Sequence, residues 1–245
     1  EVKIPVLGEI EFAFQFCPKP VIAVTGSNGK TTTVTLIAEV LQKAGLNAVL
    51  CGNVGFPFSR CVLDLRNVDY VVTEISSFQM ESLLPVQSPF RRENNPNGLA
   101  FEGFKPLIAV VLNFSQNHLD RHKDIDEYFD AKTKIFQNQS KEDFAVLNEQ
   151  DERLNGLAPK LKSTVRFFNL KSLADHKREN PNYSAVMTVA DILGIQREKV
   201  LSVFRDFKGV EHRLELVRSL DGVHYINDSK ATTAEAAGWA LQNMT

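Results

Sequence analysis

The stretch TGSNGKTT (25–32) sets Lys30 directly before Thr31 and Thr32 and behind two glycines, Gly26 and Gly29. Where such a turn leaves a strand and enters a helix, successive backbone N–H groups gather at the helix N-terminus, and the positive end of the helix dipole favours an anion. Gly26 and Gly29 let the backbone approach phosphate oxygens, with Ser27 and Asn28 between them adding loop N–H groups. Lys30 would reach the terminal phosphates, and the Thr31 hydroxyl would ligate a bridging Mg²⁺, with Thr32 completing the first turn. The general phosphate-loop pattern has a further glycine at the position of Val24. An ordinary strand-to-helix turn, with glycines for steric reasons and threonine as a cap, would use the same residues.

Other chemistry-bearing side chains follow apolar runs. Glu74 ends DYVVTEIS (69–76), where a carboxylate can hold Mg²⁺ opposite Thr31 or simply be solvated. His118, in LNFSQNHLDRH (112–122), follows another such run and is either a metal ligand or a polar loop residue. Lys132, in EYFDAKTKIF (127–136), has a spacing that any solvated helical lysine would share.

These residues need a scaffold that brings strand ends together. VIAVTG (21–26), NAVLCG (47–52), DYVVTEIS (69–76), LIAVVLNF (107–114) and FAVLN (144–148) are short, nearly continuous apolar runs, the pattern of strands buried on both faces. Helical patterns over 30–44, 124–138 and 183–193 alternate with them, the last with Val186, Val189, Ala190 and Leu193 on one face. The alternation predicts an α/β fold with a mainly parallel sheet flanked by helices. Residues 85–106, dense in Pro, Asn, Arg and Gly, read as an exposed loop in which Arg91 and Arg92 carry no function. No internal repeat is visible.

Composition narrows the partners. The 245 residues are 43% hydrophobic with a formal net charge of −2, enough for one sizeable core and without a basic field that would attract nucleic acid or a membrane surface. No apolar run reaches the roughly 18 residues of a membrane span, and the first residues lack the layout of a signal peptide. Cys17, Cys51 and Cys61 are not spaced as a disulfide framework or zinc site, which favours a reducing, cytoplasmic setting.

TGxNGKTT resembles the phosphate loop of the Mur ligases and of folylpolyglutamate synthase. EISSFQME (74–81), LNFSQNHLDRH, EYFDAKTKIF, GVEHRLE (209–215) and INDSKATT (226–233) follow in the order found in the D-glutamate-adding branch of that family, and the resemblance runs over nearly the whole chain. It implies a P-loop-type central domain and ATP-dependent amide-bond formation through an acyl phosphate, in peptidoglycan precursor synthesis. ATP, UDP-MurNAc-L-alanine and D-glutamate would be the small-molecule partners of a cytoplasmic, monomeric enzyme. It also implies two Mg²⁺ sites: Thr31 and Glu74 at the first, and His118 with Lys132, carbamylated by CO₂, at the second. Lys30, Lys132, His118 and Lys230 would be catalytic. Arg213 and Asp228 would hold ATP, Asn53, Ser76, Ser77 and Gln79 the muramoyl substrate and metals, and Lys230 and Thr232 would face the reacting centre and glutamate. By residue type alone, Asn53 and Gln79 read equally as turn or capping residues.

Departures from the family pattern are informative. The adenine-binding HNxxN segment is RENPN (178–182) here, retaining only Asn182, and 85–106 is longer than the usual connection. Matched against a three-domain family, residues 1–16 resemble the tail of an N-terminal UDP-binding domain and 17–210 the central domain. Residues 211–245 resemble the start of a Rossmann-like C-terminal domain. A chain so composed is expected not to complete the ligation alone. Another Mur ligase, a folylpolyglutamate synthase-like enzyme and a nucleotide-binding module without catalysis are the alternative readings.

Overall fold

A computed structural model describes residues 6–84, 88, 90–91, 100–114, 124–169, 180–231 and 234–243. The chain divides into two compact units, Glu1–Phe204 and Arg205–Thr245. In the first, six strands form one sheet: β1 (Val21–Thr25), β2 (Ala48–Gly52), β3 (Tyr70–Glu74), β4 (Ile108–Val111), β5 (Phe144–Asn148) and β6 (Thr164–Phe168), in the spatial order β2-β3-β1-β4-β5-β6. All neighbours are parallel. The five runs read as strands all pair. β6 adds an edge that the apolar pattern does not announce, since TVRFF carries Arg166 and is half exposed.

Side chains alternate across this sheet, so its two faces bury different sets. Val21, Ala23, Val71, Ala109, Val111 and Ala145 share a cluster with Ile10 and Ala13 of α1 (Glu9–Phe14) and Phe58 of α3 (Phe58–Cys61). The opposite face is covered by α2 (Lys30–Ala44), which contacts β1, β2 and β3 and packs on α7 (Pro181–Ile192). Ile10, Glu11 and Ala13, near the end of the segment expected to belong to a preceding domain, are therefore buried in the first unit, while Phe12 is exposed. The helix predicted over 124–138 is α5 (Ile125–Thr133) followed by a 3₁₀ turn, Lys134–Phe136. α4 (Ser77–Glu81), α6 (Glu152–Leu157) and α8 (Arg197–Asp206) complete the unit's helices among the described residues.

The exposed-loop reading of 85–106 fails where the structure describes it. Arg91 is 1% exposed and Phe104 is fully buried. The Arg91 guanidinium donates to Leu84 O at 2.7 Å and lies 3.9 Å from the equally buried Glu11 carboxylate. That carboxylate in turn accepts from the backbone N–H groups of Leu84 and Phe104, at 2.5 Å and 3.1 Å. A dense Pro/Asn/Arg composition marks irregular backbone, and irregular backbone can still be buried when a side-chain carboxylate satisfies its N–H groups.

The second unit begins within α8 and holds an antiparallel hairpin, β7 (Glu215–Leu220) and β8 (Val223–Asn227), followed by α9 (Ala234–Asn243). Asp221 (φ 51°) and Gly222 (φ 79°) make its two-residue turn, in the left-handed conformations that such turns require. All three cysteines are free, and no described helix is long and apolar enough to cross a membrane.

Candidate functional site

Because the strands are parallel, their C-terminal ends open on one edge of the sheet, and β1, β2 and β3 deliver the polar residues there. Thr25 closes β1, and residues 26–29 turn into α2. Gly29 has φ 84°, and a Cβ at this position would lie 2.2 Å from Asn182 Oδ1, so only glycine fits between the loop and the first turn of α7. Asn180 caps α7 by accepting from Asn182 N–H at 2.9 Å, which sets Asn182 against the loop. Of the altered RENPN segment, the described residues thus contribute one cap and one side chain against the 26–29 turn.

The Lys30 ammonium is folded over the loop, donating to Gly26 O and Ser27 O at 3.0 Å each. Thr31 Oγ1 donates to Glu74 Oε2 at 2.8 Å, and Asn53 Nδ2 donates to Glu74 Oε1 at 2.8 Å. Glu74 is therefore not a solvated strand-end carboxylate; it is 2% exposed, with both oxygens engaged. Thr32 lies in the first turn of α2, whose leading N–H groups have no carbonyl one turn earlier to bond.

Lys132 is not a solvated helical lysine either. It is 2% exposed and donates to Gly26 O at 3.0 Å, and its ammonium sits 4.7 Å from the Tyr128 ring centre. Among the described residues no carboxylate pairs with it. Burial, with Lys30 as a second cause, pushes its pKa down to about 7. The Tyr128 hydroxyl is 3.3 Å from Ser27 Oγ, so one helix, α5, supports the loop twice. Burial raises the Tyr128 pKa, with the Ser27 contact opposing it.

At the end of β3, Ser76 and Gln79 bond each other as a capping box for α4: Gln79 N donates to Ser76 Oγ at 3.3 Å, and Ser76 N donates to Gln79 Oε1 at 3.0 Å. Ser77 is buried beside them. His118 and Thr232 lie outside the described residues. The described residues contain no group of three or more His, Cys, Asp and Glu side chains that would hold a metal ion. The donors that do meet, the Thr31 hydroxyl and the Glu74 carboxylate, are hard oxygen ligands of the kind Mg²⁺ takes alongside phosphate and water, so this part of the donor set fits the ion.

In the second unit, the turn 211–214 is held to the end of β8. Leu214 N donates to Asp228 Oδ1 at 3.1 Å, Lys230 N donates to His212 O at 3.2 Å, and Asn227 Nδ2 lies 2.8 Å from His212 Nδ1. His212 (φ 66°) and Leu214 (φ 45°) flank Arg213 with left-handed backbone, conformations that cost free energy outside glycine. Arg213, Asp228 and Lys230 are thereby gathered in one place.

Residues 24–91 and 93–211 match the model of the Mur ligase middle domain. The chain is similar to the UDP-N-acetylmuramoylalanine–D-glutamate ligase of Thermoanaerobacter sp. (strain X514), 34% identical over 274 residues, covering 99% of this chain and 56% of that protein. It is also similar to the ligase of the same name from Koribacter versatilis (strain Ellin345), 37% identical over 273 residues, with the same coverage. The chain thus spans little more than half the length of these relatives. In fold it resembles the MurF ligase of Thermotoga maritima in complex with ADP (TM-score 0.69, 18% identity, 96% of this chain and 60% of that one).

Proposed function

We propose, from the premise that this chain belongs to the Mur ligase family, that it carries the ATP-binding centre of a ligase joining D-glutamate to UDP-MurNAc-L-alanine. The observation that carries this reading is the buried Thr31–Glu74 pair beside Lys30 at the mouth of α2. The names of the relatives at 34% and 37% identity supply the substrates. That the MurF ligase of similar fold is in complex with ADP supports a nucleotide as ligand.

In this reading the alanyl carboxylate of the UDP substrate attacks the γ-phosphorus of ATP, giving an acyl phosphate and ADP. The D-glutamate amine then attacks the acyl carbon, a proton is lost, and inorganic phosphate leaves as the amide forms. Lys30 turns from the Gly26 and Ser27 carbonyls to the β- and γ-phosphate oxygens, where its charge offsets that developing in transfer. The N–H groups at the start of α2 hold the same oxygens. Thr31 and Glu74 would hold Mg²⁺, with His118 and Lys132 at a second ion; the bound ions neutralise phosphate charge and fix its orientation. With a pKa near 7, Lys132 is neutral in a large fraction of molecules at neutral pH. An amine in that state is the form that reacts with CO₂ to give a carbamate, an oxygen ligand in place of an ammonium.

Arg213 is assigned to phosphate and Asp228 to the ribose hydroxyls, Asn182 to the nucleotide, and Asn53, Ser76 and Gln79 to the muramoyl substrate. Lys230 and Thr232 are assigned to the reacting centre and glutamate. The same reading takes 17–210 as the central domain and 211–245 as part of a glutamate-binding one, in a cytoplasmic monomer. Lys30→Ala tests it on the chain itself. Calorimetric ADP affinity in the presence of Mg²⁺ is expected to fall at least about tenfold, the cost of one charge-assisted contact, with the melting temperature unchanged. Unchanged affinity would refute the assignment.

A further inference from the structure

The parallel ladder between β1 and β4 does not stop where the strands end. Leu112 N donates to Thr25 O at 3.0 Å, and one step later Ser27 N donates to Asn113 O at 3.1 Å, already inside the phosphate loop. The Asn113 side chain then takes over from the backbone. Its Oδ1 accepts from Asn28 N–H at 2.9 Å and its Nδ2 donates to Asn28 O at 3.0 Å, closing a two-point pair with one peptide residue of the loop. One residue thus makes three hydrogen bonds to two consecutive loop residues.

Asn113 is itself held from the far side. The peptide before it is fixed by Asn148 Nδ2, which donates to Leu112 O at 3.1 Å. The peptide after it is fixed by Asp151 Oδ2, which accepts from Phe114 N at 2.8 Å. Asp151 caps α6 with its other oxygen, so the bracket is anchored to a helix as well as to the end of β5. On the loop side Gly26 packs against the same peptides: a Cβ there would lie 3.0 Å from Leu112 Cβ and 3.4 Å from Asn113 N.

We propose that Asn113 is a positioning residue that presets the phosphate loop, by occupying the N–H groups of Ser27 and Asn28 so that phosphate is met from Gly29 onward. This rests on the nucleotide reading of the loop and refines it. A loop with every N–H group pointing at solvent would have to be ordered by its ligand. With the first two tied back to β4, the ordering cost is met on folding, and a pre-ordered anion site binds more tightly.

The test compares the parent chain, Asn113→Ala, Asn113→Asp and Lys30→Ala for binding of ADP with Mg²⁺ and of adenosine, the latter by ligand-observed NMR, alongside melting curves without ligand. Asn113→Asp keeps the acceptor for Asn28 N–H, loses the donor to Asn28 O and is nearly isosteric, so it serves if the alanine variant does not fold. Asn113→Ala is expected to weaken ADP about tenfold, the loss of a pair of modest hydrogen bonds. Asn113→Asp should weaken it more because its charge opposes phosphate, and both should leave adenosine unchanged. A lower melting temperature with unchanged ADP affinity, or equal losses for ADP and adenosine, would overturn the proposal. If Lys30→Ala loses ADP while both Asn113 variants keep it, the positioning role alone fails. If the parent does not bind ADP, or Lys30→Ala binds it as the parent does, the nucleotide reading fails and takes this one with it.

Discussion

Among the described residues of the first unit two cations are buried, and they are buried differently. Arg91 lies against a carboxylate, 3.9 Å from Glu11, and donates to Leu84 O. Lys132 has a carbonyl and an aromatic ring, and no carboxylate among the described residues. A guanidinium stays charged at any physiological pH, so burying it requires a permanent partner. An ammonium can give up its proton, and burial moves its pKa to about 7. The first arrangement ties α1 to the segments around Leu84 and Phe104. The second sets an ammonium without a carboxylate against the Gly26 carbonyl. Burial of charge alone therefore does not distinguish the two; the partners available to each cation do.

The largest effect that would break this contrast is at Arg91. Arg91→Ala leaves the Glu11 carboxylate buried with its counter-charge removed and should cost about 3–5 kcal/mol, read by urea or thermal unfolding. A loss below about 1 kcal/mol would show that the pair is solvated and the contrast mistaken. Burial is the main cause that raises the Glu11 pKa, opposed by the Leu84 and Phe104 N–H bonds and by Arg91. Removing Arg91 should raise it further, so the variant should lose more stability as pH rises above the ordinary carboxylate range of about 4 to 5.

A smaller effect of the same kind is expected at Gly103, where a Cβ would lie 1.1 Å from Arg91 Nη1. Gly103→Ala must displace a guanidinium that is packed on every side, at about 1–3 kcal/mol. A neutral outcome by the same unfolding measurement would show that Arg91 has room to move.

The smallest loss is expected at Lys132. Lys132→Met removes a buried cation lacking a carboxylate and should be no less stable than the parent at pH 7, while nucleotide-dependent ligation in a full-length relative carrying the same change is lost. The sign with pH is opposite to that of an ordinary ion pair. The parent carries its full penalty below about pH 7 and is relieved as pH rises toward 10.5, where the unfolded lysine also loses its proton. The stability difference between variant and parent should therefore shrink over that interval. A constant difference would mean that Lys132 titrates normally.

Much of this architecture was legible beforehand, and what escaped did so for two reasons. The runs that became β1 to β5 are apolar because both sheet faces are covered, and α2 spans 30–44 as its pattern indicates. β6 escaped because an edge strand with Arg166 needs no continuous apolar run, and α8 because REKVLSVFRD buries only Val200 and Val203. Lys30, Thr31 and Glu74 stood out because strand ends on a parallel sheet limit where they can be. Lys132 was singled out only through the family resemblance of its segment, and nothing local shows its burial, that of Arg91 or the bonds of Asn113, since each has a partner 80 or more positions away beside any nearer ones: Asn28 by 85, Gly26 by 106, and Glu11 by the gap between positions 11 and 91. Sequence spacing carries no signal for such pairs.

Those separations also set an order of events in time. The contacts that shape the phosphate loop close chain segments of 85, 101 and 106 residues, to Asn113, Tyr128 and Lys132. Helix α2 can form within microseconds from its own residues, but the loop that precedes it acquires its shape only when β4 and α5 have docked, and such long-range parallel pairings are slow. In refolding from denaturant, recovery of helical circular dichroism should therefore run ahead of recovery of nucleotide binding. The phosphate loop, near the start of the chain, should then be among the last parts of the first unit to become native.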